Sequence, residues 1–286
     1  AGVALHSLGM QPGRADLMGA ARLASILRKL RPLVLHSHLF HANLMGRLAR
    51  LAFPVPRVVS TLHSLAESSR HSPDMRWRDR LYRMTDPLAD CTVAVCQAVA
   101  DRHAAAKAVP REKLRVIPNG IDTNKFRPDD SWRALTRNAM GVTEEFVWLA
   151  AGRLMWKKDY PTLLRAAARQ PGCKLWIAGS GPLDSELRRM ARELGVTARF
   201  LGEREDLPDL MRAADGLVLS SVVEGLPMVL LEAAASGLPI VSTAVGGAGE
   251  VVKQPQTGFL TPCGDHEALA RAMASVSAMP PEARRR

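Results

Sequence analysis

Short apolar runs that alternate with amphipathic helical stretches, on both sides of one turn-rich break, predict an α/β protein of two doubly wound parallel-sheet domains. Two observations support this reading. The apolar runs are near-continuous rather than alternating, as in strands covered on both faces, and those of the second half feed glycine-marked turns such as Gly152 and Gly179 into helices. The length of 286 residues also accommodates two domains of ordinary size.

The first half opens on an apolar run at 3–5, read as a strand already in progress, followed by a helical stretch at 16–30. Pro32 introduces a buried-strand pattern at 33–36, and 42–51 is again helical. Strands follow at 57–61, 91–95 and 114–117, with helices at 76–85 and 98–106 between them. Pro118-Asn119-Gly120 is a strong turn signal. Residues 127–144 break the rhythm and are read as the linker between a first domain at 1–126 and a second at 145–286. In the second half, strands fall at 146–151, 174–178, 199–201, 216–220 and 239–242, with helices at 160–169, 183–194, 207–214, 227–235 and 266–274. Ligands of such sheets bind at the carboxyl ends of the strands, so two facing domains would form a cleft.

Composition narrows the partners. With 47% hydrophobic and 23% charged residues, the balance is that of a soluble globular protein. No run of about 18 apolar residues is present to span a bilayer, and no signal peptide is visible. The four cysteines show neither CxxC nor finger spacing, which points to structural thiols in the cytoplasm. The formal charge of +11 is uneven: residues 1–130 hold 20 basic against 11 acidic side chains, and residues 131–286 hold 19 against 17. A basic first half fits an anionic partner such as a membrane surface or a phosphorylated substrate, beside the plainer reading of an arginine-rich solvated surface. Nucleic acid fits poorly, because 5% aromatic residues leave few stacking platforms and no recognition motif appears.

The most informative stretch runs from Ser220 to Pro239. A strand ends, a loop carries Glu224-Gly225-Leu226, and Pro227 stands at the expected first helical position ahead of Met228. The helix end directs free N–H groups and a positive dipole at whatever fills the loop, and Gly225 permits close backbone approach. Glu224 and Glu232 bracket this helix start, and ionised carboxylates accept hydrogen bonds from sugar or ribose hydroxyls. Each alone is equally compatible with a capped surface helix. A second cluster, Gly152-Arg153-Leu-Met-Trp-Lys157-Lys158, follows a strand, so its cations sit at a strand's carboxyl end and can neutralise a departing diphosphate. A third turn, Gly179-Ser-Gly181-Pro182, reads either as a ligand-contacting loop or as a tight turn that needs glycine.

These stretches resemble the family 4 glycosyltransferases, retaining enzymes of the two-domain GT-B fold. The hallmark Glu-x7-Glu stands here as Glu224-GLPMVLL-Glu232, followed by AAASGLP, and Gly-Arg-x4-Lys matches on Arg153 and Lys158. The resemblance implies transfer of a hexose-type sugar from a nucleoside diphosphate to a saccharide or lipid-linked saccharide hydroxyl, in polysaccharide or glycolipid assembly. It places Glu224 on the transferred sugar, Glu232 on the nucleotide ribose and Arg153 and Lys158 on the diphosphate. Gly179, Gly181 and Arg204 then lie near the base, and Gly225, Leu226, Pro227 and Met228 in the donor loop. His63, after the strand at 57–61, is the active-site candidate of the acceptor-side first domain. The family carries a His-rich turn like His36-Ser-His38-Leu-Phe-His41 without a metal, and no Asp-x-Asp motif is present, so neither metal nor cofactor is expected. A glycine-rich first loop and a returning carboxyl-terminal helix are expected of the family but not found, so the chain is expected to be a partial one. Two rivals share the pattern: a nucleotide-sugar epimerase of the same fold, and a donor-binding remnant without activity.

Overall fold

The computed structural model describes residues 2–10, 17–65 and 76–280. Contacts divide the chain into two compact units, Ala1–Pro118 and Asn119–Arg286.

In the first unit, α1 (Leu17–Leu30), β1 (Val34–His38), α2 (Phe40–Ala52), β2 (Arg57–Leu62), α3 (Arg76–Thr85), β3 (Cys91–Ala94), α4 (Gln97–Ala105) and β4 (Leu114–Val116) follow one another. The four strands pair in parallel in the order β1-β2-β3-β4. Their packing is pinned by buried polar groups as well as by apolar contact. Arg47 of α2 is fully buried; it donates to the hydroxyls of Ser60 on β2 and Thr92 on β3, and to the Tyr82 carbonyl on α3. Asn43, one turn earlier, donates to the Thr61 carbonyl and the Tyr82 hydroxyl. A buried guanidinium left without these partners would cost several kcal/mol, on the order of 3–5 for a broken buried charge contact, so the network fixes α2 and α3 on the sheet.

The strand expected at 3–5 does not form. Residues 2–10 carry no strand, and Val3 and Leu5 are 85% and 92% exposed. A parallel strand needs a neighbouring ladder and burial on its faces, and this run has neither. Of the helix expected at 16–30, Asp16 lies outside the described residues.

The second unit contains α5 (Asp130–Ala139), β5 (Val147–Ala151), α6 (Tyr160–Ala167), β6 (Lys174–Ala178), α7 (Asp184–Glu193), β7 (Ala198–Gly202), α8 (Leu207–Ala213), β8 (Gly216–Leu219), α9 (Met228–Ala235), β9 (Ile240–Thr243), α10 (Ala248–Val251), β10 (Gly258–Thr261) and α11 (His266–Ser277). Every residue of β5, β8 and β9 is buried, as the apolar runs of β5 and β8 require. Successive residues face opposite sides. Leu149 and Leu217 pack with Leu210 and Leu230 from α8 and α9, whereas Trp148 and Val218 pack with Leu163, Leu187 and Met273 from α6, α7 and α11. Each such side chain contributes about 2 kcal/mol, against about 0.5 for an exposed ion pair, so these two layers hold the unit together.

The sheet order is β10-β9-β8-β5-β6-β7. The chain builds outward from β5 through β6 to β7, then returns to β8 beside β5 and builds the other way. Strand order therefore reverses between β5 and β8, and a crevice opens at their carboxyl ends.

Residues 127–144, expected as the linker, carry α5, which packs against α8. Asp129 caps α5 by accepting from the Trp132 amide at 3.0 Å. One turn apart on the same face, Arg133 and Arg137 both reach Asp215, at 2.5 and 3.0 Å. Asp215 also accepts from the Val147 amide at 2.9 Å, so one carboxylate joins α5 to the starts of β5 and β8. Asp215→Ala leaves two guanidinium groups on backbone carbonyls alone, without their shared counter-charge, and should lower unfolding stability by about 3 kcal/mol in a denaturant titration; a loss below about 1 kcal/mol, the value of an exposed pair, would contradict this role.

Candidate functional site

A cavity of about 590 Å³ occupies the crevice of the second unit. Its size is in the range of small-molecule sites, roughly 300–1,000 Å³. The loops after β5, β6, β7 and β8 supply its walls, so the topology predicts its place.

After β5 the chain runs through Gly152 and Arg153 into a short 3-10 turn, Trp156–Lys158, and Asp159 then caps α6. The fully buried Leu154 anchors this loop. Its amide donates to the Ser180 carbonyl at 2.8 Å, and its carbonyl accepts from the Leu183 amide at 3.1 Å. The β5 loop is thereby bound to the Gly179-Ser-Gly-Pro turn after β6. A Cβ on Gly179 would collide with the Gly152 carbonyl, so glycine is required there for the two loops to touch. Gly181 packs in the same way against the Leu154 backbone and does not line the cavity, whereas Gly179 does. The Tyr160 hydroxyl donates to the Gly152 carbonyl at 2.9 Å. Burial, with the nearby Glu224 carboxylate, pushes the Tyr160 phenol up from its ordinary value, so it remains a neutral donor.

Arg153 and Lys158 both line the cavity. Arg153 is exposed, and its guanidinium has no hydrogen bond or ion pair among the described residues. Lys158 meets Glu224: Nζ lies 2.6 Å from Oε1, with the two side chains 20% and 15% exposed. Two further contacts join the loops that carry them. The Val222 amide donates to the Lys157 carbonyl at 2.9 Å, and the Ser220 hydroxyl to the Lys158 carbonyl at 2.8 Å. The basic loop after β5 and the acidic loop after β8 thus form one structure.

Beyond Glu224, the chain enters α9. Pro227, with ψ of 111°, is the residue before the helix rather than its first residue, and no side chain caps it. Leu226, Pro227, Met228 and Val229 line the cavity, which places the uncapped amino end of α9 on its wall. Gly225 is buried behind them; its carbonyl accepts from the Gly247 amide at 2.6 Å, and it does not line the cavity. This approach needs Gly246, φ 52°, where a Cβ would clash with the Gly225 carbonyl. One helical turn into α9, Glu232 reaches the same cavity. Its carboxylate has no hydrogen-bond or ion-pair partner among the described residues. Burial raises its pKa above the ordinary carboxyl value of 4.5, with Lys125 acting weakly the other way.

Arg204 borders the cavity beside Glu203 and Leu207. Its guanidinium forks onto Asp206, with Nε to Oδ1 at 2.8 Å and Nη2 to Oδ2 at 2.5 Å. That pair lowers the Asp206 pKa and holds the arginine against its own loop. His63 belongs to the first unit, at the carboxyl end of β2, where its Nε2 lies 2.9 Å from His38 Nδ1. His36 Nε2 is 2.7 Å from the Thr61 hydroxyl. Burial first, then the neighbouring histidines, lower the His63 pKa from 6.5. Among the described residues, no group of three His, Cys, Asp or Glu side chains is arranged to share a metal ion.

Ser180 and Ser221 escaped sequence reasoning. Ser180 meets Leu154 on another loop, and Ser221 turns its hydroxyl onto Glu224 three residues on, a direction that the Ser220-Ser221 pair at a strand end does not reveal.

The architecture has known counterparts. The model of the glycosyl transferases group 1 matches residues 135–286, and that of glycosyltransferase family 4 matches residues 3–125. A UDP-Gal:alpha-D-GlcNAc-diphosphoundecaprenol alpha-1,3-galactosyltransferase of Escherichia coli is 29% identical over 277 residues, 92% of this chain and 70% of that protein. A D-inositol 3-phosphate glycosyltransferase of Saccharomonospora viridis is 35% identical over 282 residues, 86% of this chain and 62% of that protein. The chain therefore spans less than two thirds of the length of the second relative, and half that of a Mycobacterium bovis protein of the same name. Among solved structures, Anabaena HepE in complex with UDP superposes with a TM-score of 0.82 at 26% identity, covering 93% of this chain and 74% of that one. Sucrose-phosphate synthase from Thermosynechococcus elongatus gives 0.83 at 25% identity, covering 94% and 70%.

Proposed function

Because this chain belongs to the glycosyl transferases group 1, with the family 4 match over its first half and the two-domain GT-B fold, we propose that it moves a hexose from a nucleoside-diphosphate sugar to an acceptor hydroxyl with retention at the anomeric carbon. The observation that carries this reading is the Lys158–Glu224 contact at 2.6 Å on a cavity that also receives Arg153 and Glu232. Cations for a diphosphate and carboxylates for hydroxyls then stand on one wall system at the strand-order reversal.

In this reading, Arg153, Lys158 and the amino end of α9 meet the diphosphate and stabilise the charge that grows on it as the sugar departs. Glu224 accepts from a hydroxyl of the transferred sugar, and Glu232 from the ribose. Gly179 and Arg204 border the base, while Gly181, Gly225 and Gly246 hold the surrounding loops. The bond from the anomeric carbon to the diphosphate oxygen breaks and a bond to the acceptor oxygen forms on the same face. The acceptor proton passes to the departing phosphate oxygen, so no enzymic nucleophile enters the scheme, and Arg153 and Lys158 supply the positive charge on the diphosphate. His63, kept neutral at pH 7 by its lowered pKa, serves the acceptor side of the first domain.

Uridine is the base we assign, because HepE is seen with UDP and with UDP-glucose and the E. coli relative is named for UDP-Gal. That relative's name also gives a diphosphoundecaprenol-linked acceptor. The basic first half of this chain suits such an anionic lipid-linked saccharide, in polysaccharide or glycolipid assembly at the cytoplasmic face of a membrane. No helix among the described residues is long and apolar enough to cross a membrane.

Two outcomes test the assignment. Arg153→Ala and Lys158→Ala should each lower sugar transfer by about 10²–10³-fold, the usual cost of a lost charge-stabilising donor; turnover within about threefold of wild type would contradict their role. Glu232 should make UDP affinity pH-dependent. The ionised carboxylate accepts from the ribose hydroxyls through both oxygens and more strongly than the protonated acid, so its contribution is complete above its raised pKa and weakens as pH falls through it, starting at a higher pH than for a carboxyl of 4.5. Calorimetry on wild type and Glu232→Gln should show this extra loss in wild type alone; identical pH profiles would refute it.

A further inference from the structure

Glu224 has two carboxylate oxygens, and the structure treats them differently. Oε1 receives both the Lys158 ammonium at 2.6 Å and the Ser221 hydroxyl at 2.7 Å. Oε2 has no hydrogen-bond partner among the described residues, although Glu224 lines the cavity. Two donors on one oxygen occupy both of its lone-pair directions. Ser221 is fully buried and is itself fixed, since its carbonyl accepts from the Thr243 hydroxyl on β9 at 2.6 Å. Its single hydroxyl proton is therefore committed to Oε1.

We propose that Ser221 is a positioning residue that, with Lys158, reserves one oxygen of Glu224 for the protein and leaves the other, Oε2, as the acceptor for a hydroxyl of the transferred sugar. The proposal rests on the donor-site reading above and deepens it. A carboxylate held only by Lys158 can rotate about its terminal bond and exchange its oxygens; the second donor on Oε1 removes that freedom. The consequence is specific to the sugar. The uridine and diphosphate do not need an oriented Oε2, whereas a sugar hydroxyl does.

The same geometry predicts the behaviour of an amide at this position. Because Lys158 and Ser221 both donate, the carbonyl oxygen of Glu224→Gln must face them, and its NH2 group must occupy the Oε2 site. The variant then offers a donor where the sugar hydroxyl seeks an acceptor. Ser221 then still holds the side chain, but no longer presents an acceptor to the sugar.

The test measures UDP and UDP-glucose binding by calorimetry in wild type, Ser221→Ala, Ser221→Thr, Glu224→Gln and the Ser221→Ala/Glu224→Gln double variant, with thermal unfolding as a check on folding. Ser221→Ala should leave the Kd for UDP within about twofold and raise the Kd for UDP-glucose by about tenfold, the value of one hydrogen bond to a charged group. Ser221→Thr keeps the hydroxyl and should restore most of that loss. In the Glu224→Gln background, Ser221→Ala should have no further effect on UDP-glucose, a non-additivity expected of groups acting through one contact. If Ser221→Ala weakens UDP and UDP-glucose equally, or if its effect persists undiminished beside Glu224→Gln, Ser221 acts only on the fold and the inference fails while the donor-site reading stands. If wild type binds neither ligand at millimolar concentration, the donor-site reading fails and takes this inference with it.

Discussion

The contact between Lys158 and Glu224 is the constraint on which the rest of the site depends. It joins the loop after β5 to the loop after β8, the two strands between which the sheet order reverses. The pair is not there for stability. An exposed pair contributes under about 1 kcal/mol and a fully desolvated one costs more than it returns; with exposures of 20% and 15%, this pair lies between those limits. Its effect is placement, because it sets a cation and a carboxylate on one wall while leaving Arg153 and Glu232 open to a ligand.

Backbone contacts do the remaining work. The Val222 amide on Lys157, Gly179 against Gly152 and Gly246 against Gly225 bring four loops within touching distance. Each contact exists because a side chain is absent or because a carbonyl is already aimed at a donor. Beneath them, the two apolar layers around Leu149 and Trp148 and the Asp215 lock on α5 make a rigid base. A charged site on loops is precise only when its support is of this kind. The first unit reaches rigidity differently, through the buried guanidinium of Arg47 and the amide of Asn43, which bind its helices to β2 and β3.

What the sequence revealed follows the range of the interactions involved. The central strands β5, β6 and β8 of the second sheet were legible because burial on both faces leaves an apolar run, as in Val147–Ala151. Arg153, Lys158, Glu224 and Glu232 were legible because the spacing within one loop is a local quantity. The Asp215 lock was not, since its arginines lie far upstream and α5 shows only a turn-rich entry. Ser221 was missed although Glu224 stands three residues away, because spacing does not say which way a buried hydroxyl turns. The run at 3–5 misled because hydrophobicity alone does not make a strand without a neighbour to pair with. Arg204 is the opposite case. Asp206 stands two residues away, and the fork between them was open to inference from sequence.

The proposed place for the diphosphate of an activated sugar is the β5–β8 crevice. A crystal structure of the chain saturated with UDP measures this directly. Phosphate oxygens are expected at about 2.7–3.2 Å from Arg153 and Lys158, with the ribose hydroxyls on Glu232. A nucleotide bound elsewhere on the molecule, or bound in the crevice with both cations turned away, would contradict it.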